Sequence, residues 1–461
     1  MSDVKAREQL PNENHSHGGS ISMSQVNKDK RLAQMFVSRT AHKLWQSLPS
    51  GIWIGRRCFI IGGGPSLKGF DFNQLKGELV ITVNRGFESY PDAVLNLAQD
   101  ARLWGWYENG DLGAEAKKKF ETYKGYRTWL NVQAFPYPED ISVVEICHSS
   151  DFKFNNYVGG IPPHGNTGLN ALCLAACLGA SEIYLLGFDC KGINGRTANF
   201  HAGYPDSADE SIYKNFIDEF KEVAHLIRHR SKVINLNPNS GIRCFEFAEF
   251  KDLPKINRPI VVSFFTKGTG YEKEIKRLEE SCHKFGLEYD FLGAENLGTW
   301  RKNIHSRIKI LLGFLDKHTS RDILYIDADG AILNYPVLFD NFQEDFGAVE
   351  IDRQRYFPGT WNKSIWSEAI RGKFEILGGT MYFKNNKNAR AMLEEWEKLD
   401  APMDTVLSQV HLQKAIDSVP GFKFKKLPDN YCQIFDIMAS AGEPVIEHYQ
   451  ASRRGLLTTK L

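Results

Sequence analysis

Two aspartates carry the strongest chemical signal in the chain. In ILYIDADGAIL, residues 323–333, an apolar run ends on Asp327 and Asp329 with only Ala328 between them. Residues two apart on an extended backbone point the same way, so both carboxylates can converge on one hard divalent cation. A cation held there would neutralise the charge of a departing diphosphate. Two solvated aspartates at a strand end give the same pattern, and the pair alone leaves both readings open. A second signal is the glycine turn of FIIGGGPSLKGFDF, 59–72. Glycines let a backbone approach a phosphate or ribose closely and free its amides to donate. The turn is not a P-loop, because a GK[ST] ending is absent and GGGPSL lacks the GxGxxG spacing. On residues alone it is as readily a tight structural turn as a ligand loop.

The elements that must position these residues form two series. From Arg57 onward, CFII, LVITV and AVLNLA read as short buried strands, each ending in polar residues. GNTGLNALCLAACLGA reads as a small-residue helix leading into the strand EIYLLGFD, and SIYKNFIDEFKEVAHLIRHR as an amphipathic helix leading into KVINLN. Strand–helix alternation implies a mostly parallel sheet with helices on both faces, and ligand sites beyond the carboxyl ends of its strands. The proline-bearing stretch 238–259 closes this series, and a boundary is expected near 250–258. The alternation then restarts with PIVVSFF, YEKEIKRLEESCHKFG, EYDFL, IHSRIKILLGFLDKH and DILYID. Residues 1–30 are polar and read as a flexible tail, followed by an amphipathic segment to about residue 48.

Composition narrows the class. The 461 residues are 42% hydrophobic and 25% charged, a globular profile too long for one ordinary core. Lys plus Arg, 57, nearly cancel Asp plus Glu, 56, so no global charge favours nucleic acid or an acidic membrane. RRGLLTTKL at the C-terminus and IGRRC at 54–58 are local basic spots. No apolar run is long enough for a membrane span or a secretory signal, which reads as cytoplasmic. The eight cysteines include no CxxC pair, and several lie in apolar runs, as buried free thiols do.

The order of features after residue 258 resembles the GT-A glycosyltransferases, and among them the retaining galactosyl- and xylosyltransferase type. The resemblance covers about 190 residues (258–451) and rests on four segments. PIVVSFF matches the first nucleotide-contacting strand, with Thr266 and Lys267 just beyond it. RIKILLGFLDKH matches the helix before the metal strand, which implies that Lys309 faces the donor. EILGGTMYFKN implies that Gly378, Gly379 and Thr380 lie near the transferred sugar. VIEHYQASRR implies that His448 is a third metal ligand beside Asp327 and Asp329. The family also has an acidic residue with a glutamine partner after the glycine segment; Asp404 with Gln409 or Gln413 stands there, at looser spacing.

Residues 57–250 resemble the bacterial sialyltransferases of the Campylobacter type, and equally the related pterin pyrophosphokinase-like and flagellin-glycosylation proteins. GGGPSLK, VITVNRG, GNTGLNALCLAACLGASEIYLLGFDC and KVINLNPNSGIRCFEF occur in that family's order. The resemblance implies a nucleotide held by Gly62, Gly64, Pro65, Ser66 and Asn84. Its phosphate would lie near Asn166 and Thr167 at a helix N-terminus, with Asp189 at the same rim. The family's histidine base corresponds loosely to His201, although Tyr204 falls nearer the expected offset.

The expected protein is therefore α/β, with two Rossmann-like units, the second of GT-A type: a tail (1–30), a sialyltransferase-like nucleotide-binding unit (31–254) and a glycosyltransferase unit (255–461). The implied activity is transfer of a hexose or pentose from a nucleoside-diphosphate donor to a hydroxyl. Mn2+ or Mg2+ would be the cofactor, and a glycan or a hydroxymethylated base of bacteriophage DNA the acceptor. The first unit is a second transferase, a nucleotide-dependent pyrophosphokinase or a non-catalytic domain that presents the acceptor.

Overall fold

The computed structural model describes residues 42–132, 137–204, 208–356, 374–402 and 408–451. It is α/β, built on one large parallel sheet, one mixed sheet and one small sheet. The strands of the large sheet are β1 (His42–Lys43), β2 (Arg57–Ile61), β3 (Leu79–Val83), β4 (Leu95–Ala98), β5 (Tyr126–Leu130), β6 (Ser142–Val144), β7 (Glu182–Leu186), β8 (Lys232–Asn235) and β9 (Glu246–Phe247). They lie in the order β1-β6-β5-β4-β3-β2-β7-β8-β9, and every neighbouring pair is parallel. β2, β3 and β4 are buried at every position, as strands covered on both faces must be, and this is why they read as unbroken apolar runs.

Helices α1 (Ala101–Asn109), α2 (Ala114–Thr122), α3 (Thr167–Leu178) and α4 (Ile212–Ile227) accompany that sheet. All twelve residues of α3 are buried, and its alanines and cysteines let the backbone lie close to the strands. Asn166 caps its first turn by accepting from the Leu169 amide, and Gly179, at φ 97°, ends it in the left-handed conformation glycine tolerates. The amphipathic segment expected before residue 48 is described only from His42. There His42 and Lys43 pair with β6, and a single helical turn, Leu44–Ser47, follows.

The mixed sheet comprises β10 (Ile260–Thr266), β11 (Tyr289–Ala294), β12 (Ile323–Ile326), β14 (Phe346–Asp352), β15 (Phe374–Phe383) and β16 (Phe424–Leu427), ordered β11-β10-β12-β15-β14-β16. The small sheet pairs β13 (Gly330–Ile332), β18 (Ile446–His448) and β17 (Gln433–Ile434). Around them stand α5 (Tyr271–Lys284), α6 (Trp300–His305), α7 (Arg307–Lys317), α8 (Lys387–Asp400) and α9 (Leu412–Ser418). No described helix is long and apolar enough to cross a membrane.

The two strand series meet at their amino ends. Arg56, just before β2, donates to the Tyr335 hydroxyl at 2.7 Å. Arg258, just before β10, pairs with Glu78 at 3.0 Å and with Asp340 at 3.2 Å, and donates to the Gly77 carbonyl. Trp53, fully buried, donates to the Lys284 carbonyl at the end of α5. One apolar cluster runs through both series, joining Leu79 and Val94 to Leu278 and Phe285.

Candidate functional site

β12 ends at Ile326, and the chain turns through Asp327, Ala328 and Asp329 into β13. β13 pairs antiparallel with β18, which sets Gly330 opposite His448. Asp327, Asp329 and His448 thereby offer ligand atoms that all lie within 4.8 Å of one another, although the histidine is remote in sequence. Glycine is needed at position 330, where a Cβ would stand 2.6 Å from Ile326 and 3.2 Å from the His448 ring. A small residue is equally needed at Gly379, whose Cβ would lie 3.0 Å from that ring.

Each ligand is held in place. Tyr325 donates to Asp327 Oδ1 at 2.6 Å, and the Ala451 amide donates to Asp329 Oδ2 at 2.7 Å. The Asp327 amide donates to the Gly379 carbonyl, and the Thr380 hydroxyl lies 2.8 Å from His448 Nε2. Burial pushes the Asp327 carboxyl up to about 6; Arg307 opposes this and Asp329 adds to it. Its side chain is still 37% exposed, so a ligand can reach it. Burial alone would lower the His448 imidazole, but Cys432 and Asp329 outweigh it and the group is raised. Two carboxylate oxygens and an imidazole suit manganese, and magnesium less well.

Of the residues expected around the donor, Gly378 accepts from Arg307 through its carbonyl at 3.0 Å, and Thr380 pairs with Ile326 across the β12–β15 ladder. Thr266 is buried at the carboxyl end of β10, its carbonyl accepting from Thr269. Lys309 is placed differently from the expectation. It is 78% exposed and lies 3.8 Å from Glu397 of α8. Arg307 instead is buried, donates to Ser408 Oγ and stands 3.8 Å from Asp327. The sequence carries the reason: Arg307 shares the spacing of the buried Leu311 and Phe314, whereas Lys309 falls in step with the exposed Gly313 and Asp316. Asp404 and the Gln409 side chain lie outside the described residues, and Gln413 is turned to Asp417 on an exposed face.

The large sheet has its own cleft at the carboxyl ends of β2, β3, β4 and β7, a cavity of about 320 Å³. Gly62, Gly64, Asn84, Asn166, Thr167, Asp189, His201 and Tyr204 all line it. Asn84 is left-handed, at φ 53°, a conformation in which asparagine is enriched. The glycines serve packing rather than an open cradle. A Cβ on Gly64 would lie 1.7 Å from Asp189 Oδ2 and one on Gly62 would lie 2.7 Å from the Gly187 carbonyl. Asp189 is fully engaged, accepting from Ser66 Oγ at 2.8 Å and Asn237 Nδ2 at 2.8 Å. Pro65 opens the short turn that presents Ser66 to it.

His201 sits beside the Arg85–Glu88 ion pair, whose Arg85 stacks over Tyr204 at 5.1 Å. Burial pushes its imidazole down to about 4, against the pull of Glu88, and its Nε2 is buried without a partner among the described residues. Gln99 and Trp106, which sequence reading did not single out, complete the walls. Among the described residues the lining holds Asp100 and Asp189 but no lysine or arginine. The basic spot at 54–58 is not a surface feature, because Arg56 is 1% exposed and Arg57 is paired with Glu78.

No family model and no curated protein matches the sequence. Solved structures do resemble parts of the fold. A glycosyltransferase involved in glycosylation of the major capsid of PBCV-1 is 18% identical and covers 42% of this chain and 93% of its own, with a TM-score of 0.32. The galactosyltransferase LgtC, solved with donor and acceptor sugar analogues, is 11% identical over 41% of this chain and 86% of its own, at 0.29. The bifunctional glycosyltransferase WbbM is 10% identical over 53% of this chain and 60% of its own, at 0.28.

Proposed function

We propose that the part of the chain from about residue 255 transfers a sugar from a nucleoside-diphosphate donor to a hydroxyl acceptor with a divalent cation, Mn2+ or Mg2+. The observation that carries this reading is the convergence of Asp327, Asp329 and His448, which a turn and a strand pairing bring within 4.8 Å. When bound, the cation supplies electrostatic stabilisation to the departing diphosphate. Tyr325 and the Ala451 amide orient the two carboxylates, and Arg307 ties the Gly378 carbonyl to Ser408 beside them. The donor sugar is expected near Gly378, Gly379 and Thr380. The direct test is release of nucleoside diphosphate from a set of nucleotide sugars, with Mn2+ and with chelator. Equal turnover in both would refute the metal assignment.

The cleft of the large sheet is read as a second nucleotide site. A nucleotide base would pack among its aromatic walls, and its phosphate would face the α3 amino end at Asn166 and Thr167. With no lysine or arginine among the described lining residues, a polyphosphate would have to bring its own cation. That favours a transferase using a singly charged phosphate ester over the pyrophosphokinase alternative. His201 lines the cleft as a neutral imidazole that can accept a hydrogen bond from an acceptor hydroxyl, but pushed down to about 4 it is a weak base. The buried Arg56 and Arg57 offer no phosphate clamp at 54–58, and the other basic spot, in RRGLLTTKL, lies outside the described residues.

A further inference from the structure

We propose that the two clefts, on the reading given above, are separate workplaces that face away from each other, so that a product of one must leave the protein before the other can act on it. The polar contacts named across the junction cluster at residues that precede strands. Arg56 precedes β2, Gly77 and Glu78 precede β3, and Arg258 precedes β10. A Cβ on Gly286, before β11, would lie 3.1 Å from the Glu78 carbonyl and 3.2 Å from Val94, before β4. Both candidate sites lie at the opposite, carboxyl ends.

Two rulers give the scale. β2 has 5 residues, which places the glycine cleft roughly 16 Å from the junction. α5 has 14 residues and runs from Tyr271, close enough to Asp327 and Asp329 to feel their charge, to Lys284 at the junction, roughly 20 Å away. The junction is no hinge. Arg56, Arg258, Glu78 and Trp53 are buried in it, and one apolar cluster passes through it. Rotating the parts would break buried charge pairs and expose core. The first cleft therefore cannot hand an acceptor directly to the metal cluster, and a covalently modified acceptor reaches the second site through solvent or along a polymer long enough to wrap the molecule.

Spin labels test this in the full chain without any ligand. Exposed Lys68, at the rim of the first cleft, and Glu295, at the carboxyl end of β11, are changed to cysteine, with the part-exposed Cys147, Cys190 and Cys244 replaced by serine. Pulsed electron resonance should give a separation on the order of 40 Å, and one below about 25 Å would overturn the proposal. Calorimetry adds a second arm with UDP plus Mn2+ and with CMP as probes. With both nucleotides present the combined stoichiometry should be two per chain, and mutual exclusion with a stoichiometry of one would count against separate sites. Failure of either nucleotide to bind would reject the function read for that cleft alone, and the label distance would still decide the arrangement.

Discussion

At the scale of single residues, the metal cluster makes two quantitative demands. Asp329 is buried and accepts from the Ala451 amide, so alanine there would also loosen the chain beyond β18. Asp329→Asn keeps an acceptor oxygen and removes the charge, and is the cleaner variant. It should lower Mn2+-dependent donor turnover at least about a hundredfold, with little change in melting temperature. Full activity in that variant would discard the metal role. Asp327 must be ionised to bind a cation, and burial pushes it up to about 6. Protons thus compete below that value, and the raised His448 imidazole must lose its proton as well, so Mn2+ affinity should still climb through pH 7 and fall more than about tenfold per pH unit well below 6. Titrations at pH 5 and 7.5 with equal affinity would contradict the shift.

At the scale of elements, two connections deserve mutation. The glycine turn after β2 fits against the loop after β7 with no room for a side chain. Gly64→Val drives a methyl into Asp189 and the Gly187 carbonyl, so it should destabilise the large sheet as well as close its cleft. The expected result is a lower melting temperature together with loss of CMP binding; unchanged stability would show that the loop is looser than it is built. The end of α8 is fixed by Asp400, which lies 2.6 Å from His305 Nδ1 and 3.2 Å from His411 Nδ1. These side chains are almost fully buried. Asp400→Ala removes an acceptor from two buried imidazoles and should cost roughly 1–3 kcal/mol by urea unfolding. Because His411 follows Ser408 closely, the loss should also weaken the grip of Arg307 beside Asp327.

At the scale of the molecule, the buried network of Arg56, Glu78, Arg258, Tyr335 and Asp340 makes the two strand series interdependent. Arg258→Met removes its bonds to Glu78, Asp340 and Tyr335 while Arg57 still pairs with Glu78, so it should cost about 1–3 kcal/mol and lower the melting of both parts together. Two separate transitions, with only one displaced, would show that the parts are energetically independent. A chain beginning near Lys255 keeps every strand of the mixed and small sheets. It is expected to bind a nucleotide sugar, but at reduced stability, since Tyr335 and Phe285 lose their cover.

The sequence by itself determined the elements and their alternation, because buried strands and amphipathic helices write their periods directly into residue type. It also singled out the pair Asp327 and Asp329, although they converge through a turn after β12 and not along one extended strand. Tertiary structure alone decided the rest. His448 reaches the aspartates through the pairing of β13 with β18, a contact between residues far apart in the chain. Arg307 rather than Lys309 faces the cluster because helical phase, set by which side packs, selects between two cations two residues apart. Gly62 and Gly64 prove to be fitted against the loop after β7, a use of glycine that a ligand cradle mimics in sequence. The basic spot at Arg56 and Arg57 became an internal lock because Arg57 pairs with Glu78, 21 residues away, and Arg56 donates to Tyr335 and the Gly77 carbonyl. Residue type fixes what a side chain can do, and only the packing of distant segments fixes what it faces.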